Sequence, residues 1–273
     1  MQEAYDTHRE AYFAKQYQAF TMVDPNPVTA DQALIQHLAR LRKLAEGTNG
    51  TQPSVGNDLD NQDVNCCVVW ARPAKPVAAL IQDLQQRLVS LVGRDFHVIP
   101  TEDIHLSVIE LSHRHSVPHL RSVVEKIGLS LIHNVLDLVS TVNPKPGLIA
   151  PQLSFDKMGI ALNFLPSAEA PYTYHHLRSD MHALALESGV SIDMCYTAPS
   201  AHVTLGRFVG NAFFEEHEAR KRFLRLVEGI NHELKAERSG QVWRVGEDEG
   251  LELQLGYLKF GANRKQANII GKH

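Results

Sequence analysis

The sequence predicts an α+β fold in which mixed or antiparallel sheets carry helices packed on one side. Strand-like runs alternate with helical stretches along the chain, and most of the strand candidates are half polar. Half-polar strands are typical of sheets with one solvated face. Many of the connections are short, whereas neighbouring parallel strands need long crossovers, so a doubly wound parallel sheet is disfavoured.

The first 63 residues are predicted to form an N-terminal helical extension followed by a polar linker. In residues 31–45 leucines recur at helical spacing: Leu34, Leu38, Leu41 and Leu44. Residues 46–63 are dense in Gly, Asn, Asp and Ser, which favours an exposed loop. We therefore expect the main fold to occupy residues 64–273. The extension is interpreted as a helical flank packed on that fold, with an oligomerisation or regulatory arm as the alternative.

After residue 63 the strand and helix candidates follow one another in a repeated order. The strand candidates are residues 64–71, 104–111, 135–141, 153–156, 159–164, 201–208 and 251–260. The helix candidates are residues 75–92, 117–131, 174–187 and 213–234, and Gly93 is expected to end the first of them. The order strand, helix, strand, helix occurs twice, which indicates a structural pseudo-repeat without repeated residues.

Composition excludes several classes of protein. The net charge of -4 and the pI near 6.4 argue against a broad basic surface for long duplex nucleic acid, so a nucleotide ligand should be small or locally bound. The three cysteines form no disulfide framework. No stretch reaches the roughly 18 uninterrupted apolar residues of a membrane span. We expect an intracellular soluble protein, cytoplasmic or nuclear, and the sequence indicates no particular oligomeric state.

Two short segments each combine a histidine with a hydroxyl residue two positions later. Residues 103–109 read DIHLSVI and residues 200–206 read SAHVTLG. Side chains alternate along a strand, so His105 and Ser107 should share one face, and His202 and Thr204 should share another. Gly206 is expected to allow a ligand to approach the backbone there.

Two such strands facing across a groove would supply the groups for phosphate-ester chemistry. The ordinary pKa of histidine, near 6.5, allows one imidazole to accept a proton while the other donates one. The hydroxyls can donate hydrogen bonds to nonbridging phosphate oxygens. This chemistry requires no metal and no cofactor.

The paired signature, here HLSV and HVTL, resembles that of the two-histidine phosphoesterase superfamily, which includes LigT-like RNA ligases and cyclic nucleotide phosphodiesterases. The resemblance covers roughly residues 64–260. It implies a bilobal fold with a pseudo-twofold axis, two sheets flanking a central groove, and helices on the outside. It also implies that His105 and His202 form the acid–base pair and that Ser107 and Thr204 hold the phosphate, without assigning acid and base individually.

The function expected on this basis is hydrolysis of a 2',3'-cyclic phosphate on a nucleotide or an RNA end. Cleavage or ligation of 2',5'-linked RNA would use the same residues in a larger groove. A nonenzymatic nucleotide-binding or RNA-binding module is a third interpretation, and a scaffold protein is a fourth.

Further residues are candidates for substrate contacts or could be mistaken for a site. Phe208 is expected on the groove face as a base-stacking residue, and Arg207 on the opposite face. The resemblance suggests Tyr257 and Phe260 as possible stacking partners for a base or sugar. Three histidines in HRHSVPH are interpreted as solvated loop residues and not as a metal site: His113, His115 and His119.

Overall fold

The computed structural model describes residues 2–46, 57–192 and 199–272, and within them the fold is α+β. One antiparallel sheet of nine strands is present in these ranges. Its strands are β1 Asn65–Ala71, β2 Phe96–Val98, β3 Leu106–His115, β4 Gly147–Phe155, β5 Gly159–Pro166, β6 His202–Phe208, β7 Trp243–Arg244, β8 Leu251–Gly256 and β9 Ile269–Ile270. The helices are α1 Gln2–Thr21, α2 Gln32–Glu46, α3 Asn57–Asp60, α4 Lys75–Val92, α5 Val117–Ile127, α6 Leu129–Asp137, α7 Tyr174–Leu186 and α8 His217–Glu237.

The sheet consists of two halves that meet at a narrow junction. The β3 half contains strands in the order β3-β1-β8-β9, and the β6 half contains β6-β5-β4-β7, with β2 also paired to β6. The halves meet where Leu106 of β3 pairs with Val203 of β6. The two sheets that the sequence led us to expect are thus joined into one at this pair.

The helices divide between the halves in a crossed manner. Helices α5, α6 and α7 contact the strands of the β3 half or one another, whereas α1, α4 and α8 contact the β6 half. Helix α4 follows β1 yet packs on β2 and β6, and α7 follows β5 yet packs on β3. Each half therefore depends on a helix that is adjacent in sequence to the other.

Most predicted elements are present, and one is wrong. Helix α4 has the predicted bounds and ends at Gly93, whose φ of 68° favours glycine. Residues 135–141 are not a strand, because α6 and a following 3-10 turn occupy them. The buried residues there are Ile132, Val135, Leu136 and Val139. Their spacing is helical, and a short apolar run does not reveal this by itself.

The N-terminal extension contributes to the core. Helix α2 lies within one residue of the predicted segment, and α1 is an additional helix. Phe20 of α1 packs against Phe155 and Phe223, with ring centroids 4.7 Å and 5.6 Å apart. Residues 47–56 of the expected linker lie outside the described residues. Division of the chain at residue 63 stays a prediction. In the ranges described, no helix combines the length and apolarity needed to cross a membrane.

Candidate active site

The four residues of the two motifs line one cavity of about 550 Å³ at the junction of the sheet halves. Leu106 and Val203 are antiparallel partners there. His105 and Ser107 flank Leu106, and His202 and Thr204 flank Val203, so all four side chains point to the face turned away from Leu106 and Val203. The fold therefore brings together both imidazoles and both hydroxyls.

His105 is held in a defined tautomer. Its Nδ1 lies 2.8 Å from the carbonyl oxygen of Asp103, which can only accept, so Nδ1 carries the proton and Nε2 the lone pair. The ring stacks on Trp70 with centroids 3.5 Å apart and planes 10° apart. Burial, assisted by the charges of Arg72 and His202, lowers the pKa of His105 to about 3 against the opposing hydrogen bond. The imidazole is therefore neutral at ordinary pH.

Arg72 fixes the segment that precedes His105, and sequence reasoning did not identify it. Its Nη1 donates to the carbonyl oxygen of Ile104 at 2.9 Å, and its guanidinium pairs with the buried Glu252 at 2.5 Å. The guanidinium also lies 5.4 Å from the ring centroid of Trp70. Arg72 is thus a positioning residue that holds both the backbone before His105 and the ring beneath it.

His202 has a hydroxyl partner in place of a carbonyl. Its Nδ1 lies 2.9 Å from Oγ of Ser200, a group that can either donate or accept. Burial, followed by the charges of Arg178 and Arg207, lowers the pKa of His202. Arg178 also donates to the carbonyl oxygen of Ser200 at 3.5 Å. The hydroxyl partner is compatible with both the neutral and the protonated ring.

A bulge in β6 reverses the expected faces of Arg207 and Phe208. Ala161 of β5 pairs with Thr204, but Ile160 pairs with Gly206, so Leu205 is an extra residue in β6. The expectation that Phe208 faces the groove is wrong. It is fully buried, with its ring centroid 4.8 Å from that of Phe214.

The same bulge changes the interpretation of Gly206. A side chain there would meet the ring of Phe96 at 2.3 Å and the carbonyl oxygen of His97 at 2.6 Å. Gly206 therefore allows β2 to pack closely on β6, and the expected approach of a ligand at this position is wrong.

Arg207 lines the cavity and belongs to a cationic rim. The fully buried Asp31 accepts from Arg207 at 3.1 Å and from Lys259 at 3.3 Å. The amide of Leu34 also donates to Asp31, at the start of α2. The N-terminal extension thus supplies the carboxylate that orients two cations toward the cavity, and no motif in the sequence indicated this.

Strand β3 contains a bulge at every third residue. Trp70 pairs with Ser107, Val68 with Glu110, and Cys66 with His113. The extra residues in β3 are Val108, Leu111 and Arg114. Strict alternation would have turned Glu110 away from Ser107, but the repeated bulges place Ser107, Glu110 and His113 along the same cavity.

From the sequence, the histidine-rich segment was expected to be a loop, and this expectation is wrong. His113 and His115 lie in β3, and His119 lies in the first turn of α5. The rings of His115 and His119 are 4.2 Å apart, whereas His113 contacts Glu110 and Cys66. The three histidines are therefore divided between two environments.

Tyr257 and Phe260 lie just beyond β8, which ends at Gly256, and both line the cavity. Their ring centroids are 5.8 Å apart. Tyr257 is half-buried, and burial raises the pKa of its phenol. Their contact with a base stays a prediction.

A second cavity of about 350 Å³ shares His202, Thr204 and Arg207 with the first. Its other wall comes from α1, through residues that include His8, Arg9 and Tyr12. The N-terminal extension therefore borders the motif of β6 on the side away from His105.

Comparison with known proteins gives weak similarities. No family model matches the chain, and no curated protein matches it. A conserved protein of unknown function, ATU0111 from Agrobacterium tumefaciens, is 11% identical over 84% of this chain and 98% of its own, with a TM-score of 0.49. TT0787 of Thermus thermophilus is 18% identical over 54% of this chain and 76% of its own, with a TM-score of 0.36. Usb1 of Kluyveromyces marxianus is 15% identical over 71% of this chain and 95% of its own, with a TM-score of 0.38.

Proposed function

We propose that the chain is a phosphodiesterase that opens the 2',3'-cyclic phosphate of a nucleotide or an RNA end without a catalytic metal. One observation carries the proposal: His105, His202, Ser107 and Thr204 line the same cavity, beside the point where Leu106 of β3 pairs with Val203 of β6. Two imidazoles can supply the general base and the general acid for cleavage of a phosphodiester, and two hydroxyls can donate hydrogen bonds to its nonbridging oxygens.

His105 is the general base in this proposal. The Asp103 carbonyl keeps the proton on Nδ1, and burial keeps the ring neutral, so Nε2 presents its lone pair to a water molecule in the cavity. The stack on Trp70 fixes the plane of the ring. A base with a fixed tautomer and a fixed plane requires little reorganisation when the proton moves.

His202 is the general acid. A phosphate anion beside it would favour the protonated imidazole and raise its pKa from the lowered value in the free protein. The Ser200 hydroxyl can accept from Nδ1 in that state. Substrate binding would thus charge the ring that must donate, while His105 stays neutral.

The reaction then balances with water as the second reactant. The water oxygen forms a bond to phosphorus as His105 takes its proton, and the bond from phosphorus to one ribose oxygen breaks as His202 protonates that oxygen. Ser107 and Thr204 hold nonbridging oxygens, and Arg207 and Lys259 offset their charge. The product is a phosphate monoester.

A second candidate, cleavage of 2',5'-linked RNA, is favoured by the cavity beside α1. A linear diester has a nucleoside on each side of its phosphate, and His202 and Thr204 border a cavity on each side. The same four residues would act on a longer substrate.

The test is hydrolysis of 2',3'-cyclic nucleotides and a 2',5'-linked dinucleotide in the presence of EDTA. We expect turnover by the native chain and a loss of about 10²- to 10⁴-fold in His105→Ala and in His202→Ala. His133→Ala, which alters an exposed histidine of α6, is the matched control and should keep full activity. Turnover of only the dinucleotide would select the second candidate. Nucleotide binding without turnover would indicate a binding module.

A further inference from the structure

A cluster of three potential metal ligands lies on β1 and β3, apart from the two histidine motifs. Sγ of Cys66 is 3.6 Å from Nδ1 of His113, and the same nitrogen is 2.9 Å from Oε1 of Glu110. All three ligand atoms lie within 4.8 Å of one another. We propose that Cys66, Glu110 and His113 bind one Zn²⁺ ion whose remaining coordination position faces the cavity.

The distances fit a tetrahedral ion. With Zn–S near 2.3 Å and Zn–N near 2.0–2.1 Å, tetrahedral geometry separates sulfur and nitrogen by about 3.6 Å, and nitrogen and oxygen by about 3.4 Å. The sulfur–nitrogen distance of 3.6 Å already matches. The nitrogen–oxygen distance of 2.9 Å has to lengthen by about half an ångström, which a small rotation of the Glu110 carboxylate provides.

The ligand types favour zinc over other cations. Thiolate and imidazole suit zinc and disfavour magnesium and calcium, which prefer oxygen ligands. Three protein ligands with an open fourth position are typical of zinc sites that accept water or another ligand.

The arrangement differs from that of a nucleophilic cysteine. In a relay of nucleophile, histidine and carboxylate, the two partners use opposite nitrogens of the ring. Here Cys66 and Glu110 both approach Nδ1 of His113, and a single N–H cannot serve both fully. Groups that converge on one point are suited to a shared cation.

The backbone of β3 is shaped around this cluster. The bulge at Leu111 brings Glu110 and His113 to one face although they are three residues apart. Arg114, the next bulge residue, has a φ of 58°, unusual for a residue with a side chain, and its backbone hydrogen-bonds to Cys66. Such contacts to a ligand orient it in known metal sites.

The site opens into the cavity that also contains His105 and Ser107. Glu110 is 4% exposed, so its carboxylate is largely removed from water where it contacts His113 and Cys66. A divalent ion would offset the cost of burying that charge. The proposed hydrolysis assigns no step to this ion, so metal binding and turnover can fail independently.

The experiment is a titration of the metal-free chain with Co²⁺, which replaces Zn²⁺ and reports thiolate ligation through a sulfur-to-cobalt charge-transfer band. We expect one equivalent to produce the band and Zn²⁺ to abolish it. Cys66→Ser should lose the band and weaken Co²⁺ binding more than about tenfold, with weaker binding also in Glu110→Gln and His113→Ala.

Cys67→Ser is the matched control. Cys67 adjoins Cys66 in β1 but lies in the core on the opposite face of the strand. It should keep the band, and circular dichroism establishes that each variant is folded. Absence of the band in the native chain, its survival in folded Cys66→Ser, or its loss in folded Cys67→Ser would overturn the zinc site.

Discussion

The two histidine strands carry the same motif in different surroundings. His105 precedes β3, stacks on Trp70, and donates from Nδ1 to a backbone carbonyl. His202 begins β6, and its Nδ1 faces the Ser200 hydroxyl. A carbonyl can only accept, so it fixes the neutral tautomer with the proton on Nδ1, whereas a hydroxyl can donate or accept and accommodates either tautomer. Similar motifs can therefore take unlike roles through the partners of their rings.

The backbone before each histidine is nevertheless held in a similar way. Arg72 donates to the carbonyl oxygen of Ile104, and Arg178 donates to that of Ser200. Arg72 directly follows β1 and Arg178 lies in α7, at 32 and 22 residues from the carbonyls that they anchor. The two halves thus share an anchoring principle and differ at the imidazole partner.

The largest expected effect concerns the assignment of acid and base. On a cyclic nucleotide, His105→Ala and His202→Ala should each lose about 10²- to 10⁴-fold in kcat/KM. On a nitrophenyl ester of a 2'-deoxynucleoside 3'-phosphate, the leaving group needs no proton. On this substrate the kcat/KM of His202→Ala, relative to that of the native chain, should be at least about tenfold higher than on the cyclic nucleotide. The relative kcat/KM of His105→Ala should not rise. Steady-state kinetics on both substrates provides the measurement.

Recovery of activity in His105→Ala alone would make His105 the general acid and His202 the general base. Equal recovery of both variants would show that the different ring partners do not divide acid from base.

The next effect tests the reversed faces at the end of β6. Phe208→Ala should lower the free energy of unfolding by about 3–5 kcal/mol, because it leaves a cavity in a packed aromatic core. Arg207→Ala should instead raise KM about tenfold by removing a cation that lines the cavity where we propose that the substrate phosphate binds. Urea unfolding and steady-state kinetics on both variants measure the two effects.

Phe208→Leu serves as the milder core variant and should destabilise less than Phe208→Ala. A stable Phe208→Ala with a raised KM would place the phenyl ring at the cavity and remove the bulge at Leu205.

The smallest effect follows from the lowered pKa of His105. Its pKa is about 3 in the folded chain and 6.5 ordinarily, so between these values the unfolded chain binds the additional proton. Stability from this group is present above pH 6.5 and is lost as pH falls toward 3. Relative to His105→Gln, the native chain should lose about 2 kcal/mol more between neutral pH and about pH 5.

Urea unfolding of both proteins across this pH range measures the difference, since the remaining acid-sensitive groups are common to the two. Parallel pH curves would contradict a neutral His105 with a lowered pKa.

Individual elements show which features of the fold could be predicted from the sequence. The stripe of α4 and its glycine stop are local signals, and the helix has the bounds that they predict. The strand predicted at residues 135–141 is wrong because a short apolar run fits either a strand or a turn of a buried helix. The prediction that Phe208 faces the groove is wrong because one extra residue in β6 turns every later side chain of the strand to the opposite face.

Local periodicity in the sequence was sufficient to predict the α+β class and the two strands of the motifs. It also predicted that the histidine and the hydroxyl residue of each motif share one face. Pairing between segments distant in sequence set which side chains share the cavity. The bulges of β3, the bulge of β6 and the carboxylate of Asp31 all depend on such pairing. Alternation within one strand does not show where pairing with the neighbouring strand inserts an extra residue. The faces of Glu110, His113 and Arg207 are therefore determined only when the strands pair in the sheet.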